Sequence, residues 1–224
     1  MTEFWKSSYW DRRFKQENEF EWLIGGDVFI EQTASWIDDS HAKAIAHIGC
    51  GNSRLSKSIH NINSAAQIYN IDYSLEAINR ARQLNGEDHQ IYHTADLLDA
   101  RQLEKILPPV DIVVDKCCAD SMSTGADVMV EDTWTISTTT DSPGTLHSPV
   151  YALALNLARV VRCGGWWLLC SYSPFRFEVL AECPAWRIEK RWSIRAQDAT
   201  SSDGDGRAVH RPEVHHHFIA LRRV

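Results

Sequence analysis

Short apolar runs alternate with segments of helical spacing along most of the chain. The run Ala44–Ile48 ends in a glycine-containing turn, and helical spacing of apolar residues begins in the segment Arg54–Ile59. The run Gln67–Ile71 is followed in the same way by the segment Leu75–Leu84. A short continuous apolar run is typical of a buried strand, and apolar residues three and four positions apart are typical of a helix. The pattern therefore predicts repeated strand-then-helix units.

The second half of the chain continues this pattern and then changes it. A helix is predicted at Val150–Val161, where apolar residues lie all around, and the glycine pair at 164–165 is expected to end it. Two late segments, Ala185–Ile194 and Val214–Leu221, alternate apolar and polar residues as strands do. The polar segment between them, Ala196–Arg207, predicts a hairpin loop. Three further strands are predicted at Gln90–His93, Asp111–Asp115 and Trp166–Tyr172.

Repeated strand-then-helix units predict an α/β fold with a mostly parallel sheet and helices on both faces. Five early strands and two late ones make seven, and the last two should form an antiparallel C-terminal hairpin. The segment 1–40 has a helical pattern and holds four of the nine tryptophans. We therefore predict a single domain over residues 1–224, with an N-terminal helical lid at 1–40 and a core at 41–224. A static helical cap is the alternative to the lid.

Composition agrees with a globular chain and excludes several classes of protein. The 224 residues are 44% hydrophobic and 24% charged, which excludes disorder over the whole length. The apolar stretch Val160–Tyr172 is interrupted by Arg162 and two glycines, so no membrane span is predicted. The six cysteines form no Cys-x-x-Cys pair, and the segment Met1–Glu21 lacks the apolar core of a secretion signal. Both observations favour a reducing, cytoplasmic location.

The charge of the chain argues against nucleic acid as a partner. The formal net charge is −7, whereas proteins that bind a phosphate backbone carry clustered Lys and Arg. The stretch Cys117–His147 holds five acids and no Lys or Arg. A solvated loop is one explanation of this stretch, and attraction of a basic substrate is the other. Trp134 within it is expected to anchor the loop or to pack against a substrate.

The segment His47–Ser53 carries the first candidate chemistry. Gly49 and Gly51 let a ligand approach the backbone closely, and the helix that follows presents free N–H groups. A tight strand-to-helix turn without a ligand is the alternative. A dinucleotide fingerprint would need a third glycine where this chain has Arg54, which disfavours an NAD-dependent dehydrogenase.

Two acids follow the second and third predicted strands. Asp72 comes at the end of the second strand, where a carboxylate can accept hydrogen bonds from both hydroxyls of a ribose. Asp96 follows the third strand, where a carboxylate can accept a hydrogen bond from the exocyclic amine of adenine. Taken singly, the first could be a helix cap and the second a loop acid. In this order after the glycine turn, they form the nucleoside half of an S-adenosyl-L-methionine (SAM) site.

Several segments of the chain match a known family. They are residues 9–14, 21–25, 47–56, 70–74, 111–116, 157–165 and 215–218. With them the chain resembles the class I, seven-stranded SAM-dependent methyltransferases. More narrowly, it resembles the methyltransferase-like group that includes lysine methyltransferases of elongation factor 1-alpha. The most specific part is a Tyr-Trp-Asp-Arg-Arg-Phe opening combined with the turn Gly-Cys-Gly-Asn-Ser.

This resemblance implies a Rossmann-like sheet, SAM as the methyl donor and S-adenosyl-L-homocysteine as the product. It implies cofactor contacts from N-terminal aromatic residues, from the turn after the first strand and from residues after the next three strands. The residues concerned are Trp10, Phe14, Trp22, Gly49, Cys50, Gly51, Asp72, Tyr73, Asp96, Leu97 and Lys116. Without the resemblance, the tryptophans would be interpreted as core anchors.

The segment after the fourth strand departs from the family. Members commonly have Lys-Gly-Thr-Leu-Asp there, whereas this chain has Lys116, Cys117, Cys118, Ala119 and Asp120. The lysine and the final acid are kept, and we expect Asp120 to act catalytically by helping to deprotonate the acceptor. Adjacent cysteines without a nearby partner are typical packing residues, with a metal or nucleophilic pair as the alternative.

The run His215-His216-His217 near the C-terminus is the other candidate for metal binding. Neighbouring residues of a strand point to opposite faces, so only His215 and His217 can converge. Two ligands are too few for zinc, and methyl transfer needs no metal. We therefore expect no metal site.

Of three functions, we expect methyl transfer to the amine of an accessible protein lysine, because Asp120 and the acidic stretch fit a basic substrate. The alternative is transfer to an oxygen, nitrogen or sulfur atom of a small molecule, which the altered centre Cys117–Ala119 keeps open. The third is a binding protein that has the fold and has lost transfer. The expected partner is therefore a protein lysine or a small-molecule acceptor, and neither nucleic acid nor membrane.

Overall fold

A computed structural model describes residues 3–39, 41–130, 144–196 and 213–224. Its strands are β1 Ala44–Ile48, β2 Gln67–Asp72, β3 Gln90–Thr94, β4 Val110–Lys116, β5 Val128–Val130, β6 Thr145–His147, β7 Val161–Ser171, β8 Trp186–Arg195 and β9 His215–Arg223. Its helices are α1 Ser7–Gln16, α2 Gly26–Ile37, α3 Leu55–Ile62, α4 Leu75–Asn85, α5 Ala100–Ile106, α6 Cys118–Met122 and α7 Pro149–Val160. A 3₁₀ helix lies at Glu178–Glu182. Within these residues, no helix has the length and hydropathy that a membrane span requires.

Seven of the strands form one sheet, in the order β3-β2-β1-β4-β7-β9-β8. The pairs from β3 to β7 are parallel, whereas β9 runs antiparallel to both β7 and β8. The predicted seven-stranded, mostly parallel sheet with an antiparallel C-terminal hairpin is therefore confirmed. The chain order reverses between β1 and β4, and in such sheets ligands bind outside the carboxyl ends of the strands at that point.

Helices cover both faces of this sheet. All five residues of β1 are buried, as expected for a strand at the centre of a parallel sheet. Ala46 and Ile48 belong to the core cluster that includes residues of α5 and α7. Ile45 belongs to a second cluster on the opposite face, which includes residues of α2 and α3. The alternation of side chains along β1 thus divides the core into two layers.

The glycine pair at 164–165 lies inside a strand, so the prediction that it ends a helix is wrong. Helix α7 ends at Val160, and β7 begins at the next residue. The register of β4 against β7 shifts between Val110 and Ile112. Gly165 lies so close to β4 that a Cβ there would come within 2.8 Å of the Asp111 carbonyl oxygen. Glycine is needed here for a close approach of two backbones at an irregular pairing.

The predicted lid region, 1–40, contains two helices that pack against different parts of the protein. Helix α2 packs against the sheet, where the Phe29 ring lies 6.0 Å from the ring of Phe218. Helix α1 packs Trp10 and Phe14 against Ala77 at the start of α4. We refer to residues 4–22, which hold α1 and the chain that follows it, as the N-terminal segment.

Several short elements leave no clear pattern in the sequence. Helix α5 has seven residues, and its N-cap Asp99 accepts hydrogen bonds from the N–H groups of Arg101 and Gln102. Helix α6 and the antiparallel pair β5–β6 are shorter still. Both lie in the stretch Cys117–His147, which the sequence predicts as a loop. Its residues 131–143, with Trp134, lie outside the described residues, as does the predicted hairpin loop from residue 197 onward.

A chain of buried polar side chains lies beneath the turn after β1. The His47 ring nitrogen Nδ1 is 2.7 Å from the Ser56 hydroxyl, which donates to the side-chain oxygen of Asn70. Asn70 donates in turn to the Gln90 side-chain oxygen at 2.8 Å. Burial and the positive charge of Lys116 lower the pKa of His47 to about 3, so the imidazole is neutral at pH 7. The network joins β1, α3, β2 and β3 just before the glycine turn.

Replacing Asn70 by Leu should destabilise the protein. The free energy of unfolding is expected to fall by about 1–3 kcal/mol, because Ser56 and Gln90 lose a buried hydrogen-bond partner. Urea unfolding followed by tryptophan fluorescence measures this difference. The same substitution at the exposed Asn79 on α4 is the control, with an expected change within about 0.5 kcal/mol. An Asn70→Leu variant as stable as the control would contradict the prediction.

Candidate active site

The turn after β1 has a conformation that requires glycine. Gly49 and Gly51 have φ angles of 55° and 53°, in the left-handed region that glycine readily adopts. A Cβ on Gly49 would lie 2.4 Å from the sulfur of Cys118, and a Cβ on Gly51 would lie 3.2 Å from the Phe14 ring. Cys50 between them is buried. The turn therefore brings β1, α6 and the N-terminal segment into contact.

Asp72 joins this turn to the turn after β2. Its carboxylate accepts hydrogen bonds from the N–H groups of Gly51 at 3.0 Å and Ser74 at 2.9 Å. Burial raises the pKa of Asp72 to about 6, and these two hydrogen bonds oppose the rise. An ionised carboxylate can accept about four hydrogen bonds, so Asp72 keeps acceptor capacity toward the cavity that it lines.

Three more of the residues that the resemblance implies lie along the same cavity. Tyr73 is half-buried and packs against the aromatic side chains of the N-terminal segment. Asp96 is exposed, and its carboxylate accepts the N–H of Leu98 at 2.9 Å. Leu97 is buried, and its carbonyl accepts a hydrogen bond from Asn156 at 3.0 Å. The ends of β2 and β3 thus present two carboxylates and one aromatic ring to the cavity.

The N-terminal segment brings a cluster of aromatic rings onto the cavity. The rings of Trp10 and Phe14 stack 5.6 Å apart, and Trp22 meets Trp10 at a steep angle with the centroids 5.3 Å apart. The Trp10 indole N–H donates to the carbonyl of Phe4 at 2.6 Å. All three aromatic residues that the resemblance implies therefore line the cavity.

Polar contacts fix the N-terminal segment to the turns beneath it. The buried amine of Lys116 pairs with the Glu21 carboxylate at 2.9 Å and donates to the Trp22 carbonyl at 3.1 Å. Glu21 also accepts hydrogen bonds from the Ser53 hydroxyl at 2.8 Å and from the Arg54 N–H at 3.1 Å. Lys116 thus anchors the N-terminal segment. No spacing rule relates positions 21 and 116, so the sequence does not predict this pair.

Asn52 also lines the cavity, although its place after Gly51 is the one sign of it in the sequence. The side chain is fully buried, and its Nδ2 donates to the Glu17 carbonyl at 2.9 Å. Its Oδ1 has no hydrogen-bond partner among the described residues. Most buried polar atoms in folded proteins have such a partner, so this oxygen is unusual.

Asp115 at the end of β4 caps helix α6. Its Oδ1 accepts the N–H groups of Cys118 at 2.8 Å and Ala119 at 3.3 Å. Its Oδ2 is buried and makes no hydrogen bond of standard geometry in the described part of the chain, although the Trp167 side chain is near enough to oppose the rise in pKa. Burial raises the pKa of Asp115 to about 7, with a smaller contribution from the charge of Asp120, and the two backbone bonds oppose the rise. This carboxyl group therefore titrates near neutral pH.

Cys117 is buried, and Cys118 is partly exposed where it lines the cavity. Cys117 donates toward the carbonyl of Cys170 at 3.4 Å, and Cys118 lies 3.9 Å from the sulfur of Met122. The hydrogen bond and burial raise the pKa of the Cys117 thiol, and burial raises the pKa of Cys118. Both groups are therefore protonated at neutral pH, and a protonated thiol is a poor nucleophile. This agrees with a packing role for the pair.

Asp120 lies on α6, and both of its carboxylate oxygens already hold partners. One oxygen accepts the Ser171 hydroxyl at 2.8 Å, and the other accepts the Tyr172 N–H at 2.8 Å. Arg176 forms an ion pair with the same carboxylate. Asp120 lines the cavity as the predicted catalytic residue should. These contacts hold the end of β7 in place.

The three histidines of β9 alternate as a strand requires. His215 and His217 are half-buried, and His216 between them is buried. Burial lowers the pKa of both His216 and His217, so both rings are neutral at pH 7. His217 lies opposite Ser171 in the register of β7 and β9, and Ser171 is the residue whose hydroxyl donates to Asp120.

All twelve residues that were predicted to bind cofactor or to act catalytically line one cavity of about 1100 Å³. Small-molecule sites commonly measure about 300–1,000 Å³, so this cavity has room for a cofactor and a second small molecule. The strand order sets the order of groups along it. Asp96, Asp72 and the glycine turn follow β3, β2 and β1, and the Asp120–Arg176 pair follows β4 and β7.

A seven-stranded sheet of this order, with acids after β2 and β3 beside a glycine turn, defines a Rossmann-like protein with a nucleoside crevice. The family model described as "Methyltransferase domain" matches residues 39–196. Methyltransferase srdJ of Neurospora crassa is 31% identical over 230 residues, which cover 99% of this chain and 85% of that protein. The chain therefore belongs to the methyltransferase domain family, and it is a SAM-dependent methyltransferase.

Solved structures support the same fold. The N-methyltransferase NodS from Bradyrhizobium japonicum WM9, in complex with S-adenosyl-L-homocysteine, has a TM-score of 0.62 at 14% identity, with 99% of each chain covered. Magnesium protoporphyrin IX methyltransferase (ChlM) from Synechocystis PCC 6803, with bound SAM, has a TM-score of 0.56 at 14% identity. The match covers 98% of this chain and 93% of that one. These likenesses show the fold, and the narrower resemblance to elongation factor 1-alpha lysine methyltransferases is not shown.

Replacing Asp115 by Asn should change how stability depends on pH. The pKa is about 7 in the folded protein against an ordinary 3.8, so the folded state keeps a proton that the unfolded chain releases between these values. Wild-type stability therefore contains a contribution that falls as pH rises from about 4 to 7, by up to about 1.4 kcal/mol per pH unit. Asn keeps an oxygen for the Cys118 N–H and cannot ionise.

Urea unfolding at pH 4.5 and pH 7.5 tests this prediction. The Asp115→Asn variant should gain stability relative to wild type between the two pH values. Asp127→Asn, which removes an exposed carboxylate from the same end of the sheet, controls for the loss of one negative charge. A difference between Asp115→Asn and wild type that is equal at both pH values would show that Asp115 does not titrate as described.

Proposed function

We propose that the protein transfers the methyl group of SAM to an oxygen, nitrogen or sulfur atom of a small-molecule acceptor. The observation that carries this proposal is the ion-paired acid after β4, Asp120. Asp120 already pairs with Arg176 and accepts hydrogen bonds from Ser171 and Tyr172. A lysine amine has an ordinary pKa of about 10.4 and needs an available base before it can attack. The small-molecule alternative therefore has better support than the expected lysine substrate.

The residues along the cavity fit SAM. Asp72 has unused acceptor capacity for the ribose hydroxyls, and Asp96 with Leu97 is assigned to the adenine. Tyr73 and the aromatic cluster of the N-terminal segment offer flat apolar surfaces on which a ring can stack. We assign the glycine turn to the methionine end. When bound, SAM supplies an electrophilic methyl group on a sulfonium ion.

The task of the chain in such a reaction is to align the acceptor and to exclude water. Met122, Val128 and Tyr172 line the part of the cavity beyond the glycine turn and present apolar surface there. Asp120 and Arg176 fix the start of the loop after β7, so Tyr172 is held in place by its own backbone N–H. These residues suit an acceptor that already carries a good nucleophile.

The relatives are consistent with this choice of substrate. ChlM is named for magnesium protoporphyrin IX, which is a small molecule. The srdJ protein is 31% identical to this chain over almost its full length. The relatives described above therefore support a small-molecule acceptor better than a protein lysine.

A labelling experiment tests the proposed function directly. The protein is incubated with SAM that carries a tritiated methyl group and with an extract of the source cells, and metabolites and proteins are then separated. Label should appear in the metabolite fraction. Asp72→Ala is the control and should transfer little, because it loses an acceptor that we assign to the ribose. Label confined to the protein fraction would support the lysine substrate, and label in neither would contradict transfer.

Deletion of residues 1–16 should abolish SAM binding and leave the sheet folded. Helix α1 lines the cavity. Apart from packing contacts, it is held to the core by a hydrogen bond of 2.6 Å from the Ser74 hydroxyl to the Asp11 carboxylate. The two main core clusters include none of these residues. Calorimetry measures binding, and far-ultraviolet circular dichroism measures folding. Hydrogen exchange of residues 4–22 in the full chain should slow when SAM is added, because a lid closes over its ligand.

Two results would contradict this prediction. A deletion variant that unfolds would show that α1 is part of the static core. Exchange at residues 4–22 that is already slow and does not change with SAM would show that the segment is not a lid.

A further inference from the structure

Arg176 places unused hydrogen-bond donors on the wall of the cavity. It lies in the loop after β7, and its side chain is 29% exposed. A guanidinium group has five N–H donors, and among the described residues only the Nη1 group has a partner, the Asp120 carboxylate. The side chain therefore keeps donors for a bound molecule.

Asp120 holds this guanidinium in a fixed place. The Asp120 side chain is buried, and its two oxygens accept hydrogen bonds from the Ser171 hydroxyl and the Tyr172 N–H, both at 2.8 Å. These bonds fix the carboxylate, and the carboxylate pairs with Arg176. The guanidinium is thus oriented before a ligand arrives, and a donor that is already oriented loses less entropy on binding.

Arg176 lies away from the groups that are assigned to the nucleoside. In the strand order β3-β2-β1-β4-β7, Asp96 and Asp72 follow strands on one side of the glycine turn, and Arg176 follows β7 on the other. Two other cations of the described chain line the cavity, and both are paired. The side chain of Lys116 is only 5% exposed and binds Glu21, and Lys6 pairs with Glu3.

We infer that Arg176 binds a negatively charged oxygen group of the acceptor, a carboxylate or a phosphate, an inference that rests on the proposed function. The planar fork of a guanidinium matches the oxygens of both groups, and hydrogen bonds between charged partners are stronger than neutral ones. The substrates of the protein are then organic acids, and these include phosphate esters.

Fractionation of the metabolites of the source cells tests this substrate class. An anion-exchange column at neutral pH separates an anionic fraction from an unbound fraction, and each is incubated with the protein and tritiated SAM. Label should be transferred to the anionic fraction. Transfer confined to the unbound fraction would overturn the inference and leave the proposed function intact. Transfer to neither fraction would contradict the proposed function, and the inference with it.

Alkaline phosphatase separates the two sources of negative charge. The anionic fraction is treated with it before the protein and SAM are added. Loss of transfer would identify a phosphate, and unchanged transfer would identify a carboxylate.

Arg176→Gln should weaken binding of the acceptor and leave the cofactor alone. The amount of the anionic fraction that gives half-maximal transfer should rise about 10- to 150-fold, as expected for the loss of hydrogen bonds from a charged donor. Calorimetry should show unchanged affinity for S-adenosyl-L-homocysteine. An equal loss of affinity for this ligand would show that Arg176 binds the cofactor or only supports the fold, and would overturn the inference. An unchanged half-maximal amount would overturn it as well.

Two further variants serve as controls. Lys6→Gln also removes one positive charge from the cavity wall, but Lys6 already pairs with Glu3, so the half-maximal amount should stay at the wild-type value. Asp120→Asn breaks the same ion pair and keeps the guanidinium, so affinity for the anionic acceptor should persist. A rise in either variant as large as in Arg176→Gln would contradict the assignment to Arg176.

Arg176→Lys covers the case that Arg176→Gln does not fold. It keeps a positive charge beside Asp120 and loses the forked donors. The half-maximal amount of the anionic fraction should still rise, by less than in Arg176→Gln, with unchanged affinity for S-adenosyl-L-homocysteine. No rise in this variant would contradict the inference.

Discussion

The close contact of the glycine turn after β1 with its neighbours is the constraint on which the site depends. Cys118 packs against Gly49 and Phe14 against Gly51, so a Cβ at Gly49 would overlap Cys118 and a Cβ at Gly51 would press against the Phe14 ring. Asp72 binds the N–H of Gly51 from the next strand. One turn thereby sets the relative positions of α6, the N-terminal segment and β2. Because protein interiors are close-packed, a methyl group added at Gly49 would push against α6, and one added at Gly51 would push against the N-terminal segment.

The sheet could be predicted from the sequence because its signals are local. The apolar runs at β1, β2 and β4 are short and continuous, as buried parallel strands require. The glycine pair at 164–165 was misjudged because glycine both ends helices and permits close backbone approach, and sequence alone does not separate the two uses. Helices α5 and α6 are too short to show helical periodicity, so their caps, Asp99 and Asp115, could be recognised only in the structure.

The positions of the site residues could be predicted, and their partners could not. In a parallel sheet the carboxyl ends of the strands meet along one edge, so the order of Gly49, Asp72 and Asp96 in the chain fixes their neighbourhood in space. The partners of Lys116 and Asp120 lie far away in the sequence and depend on side-chain geometry. The expectation of a lysine substrate rested on the attraction of Asp120 and the acidic stretch for a basic substrate. The structure gives that carboxylate an arginine.

The partly buried ion pair of Lys116 and Glu21 has a consequence for turnover. It ties the N-terminal segment to the end of β4, at a place where salt screens charges much less than at the surface. In the proposed reaction, S-adenosyl-L-homocysteine leaves a cavity that this segment walls on one side. Release of product would then involve opening the contact between Lys116 and Glu21, which lies away from the transferred methyl group. The strength of this anchor would then bear on how fast the product leaves.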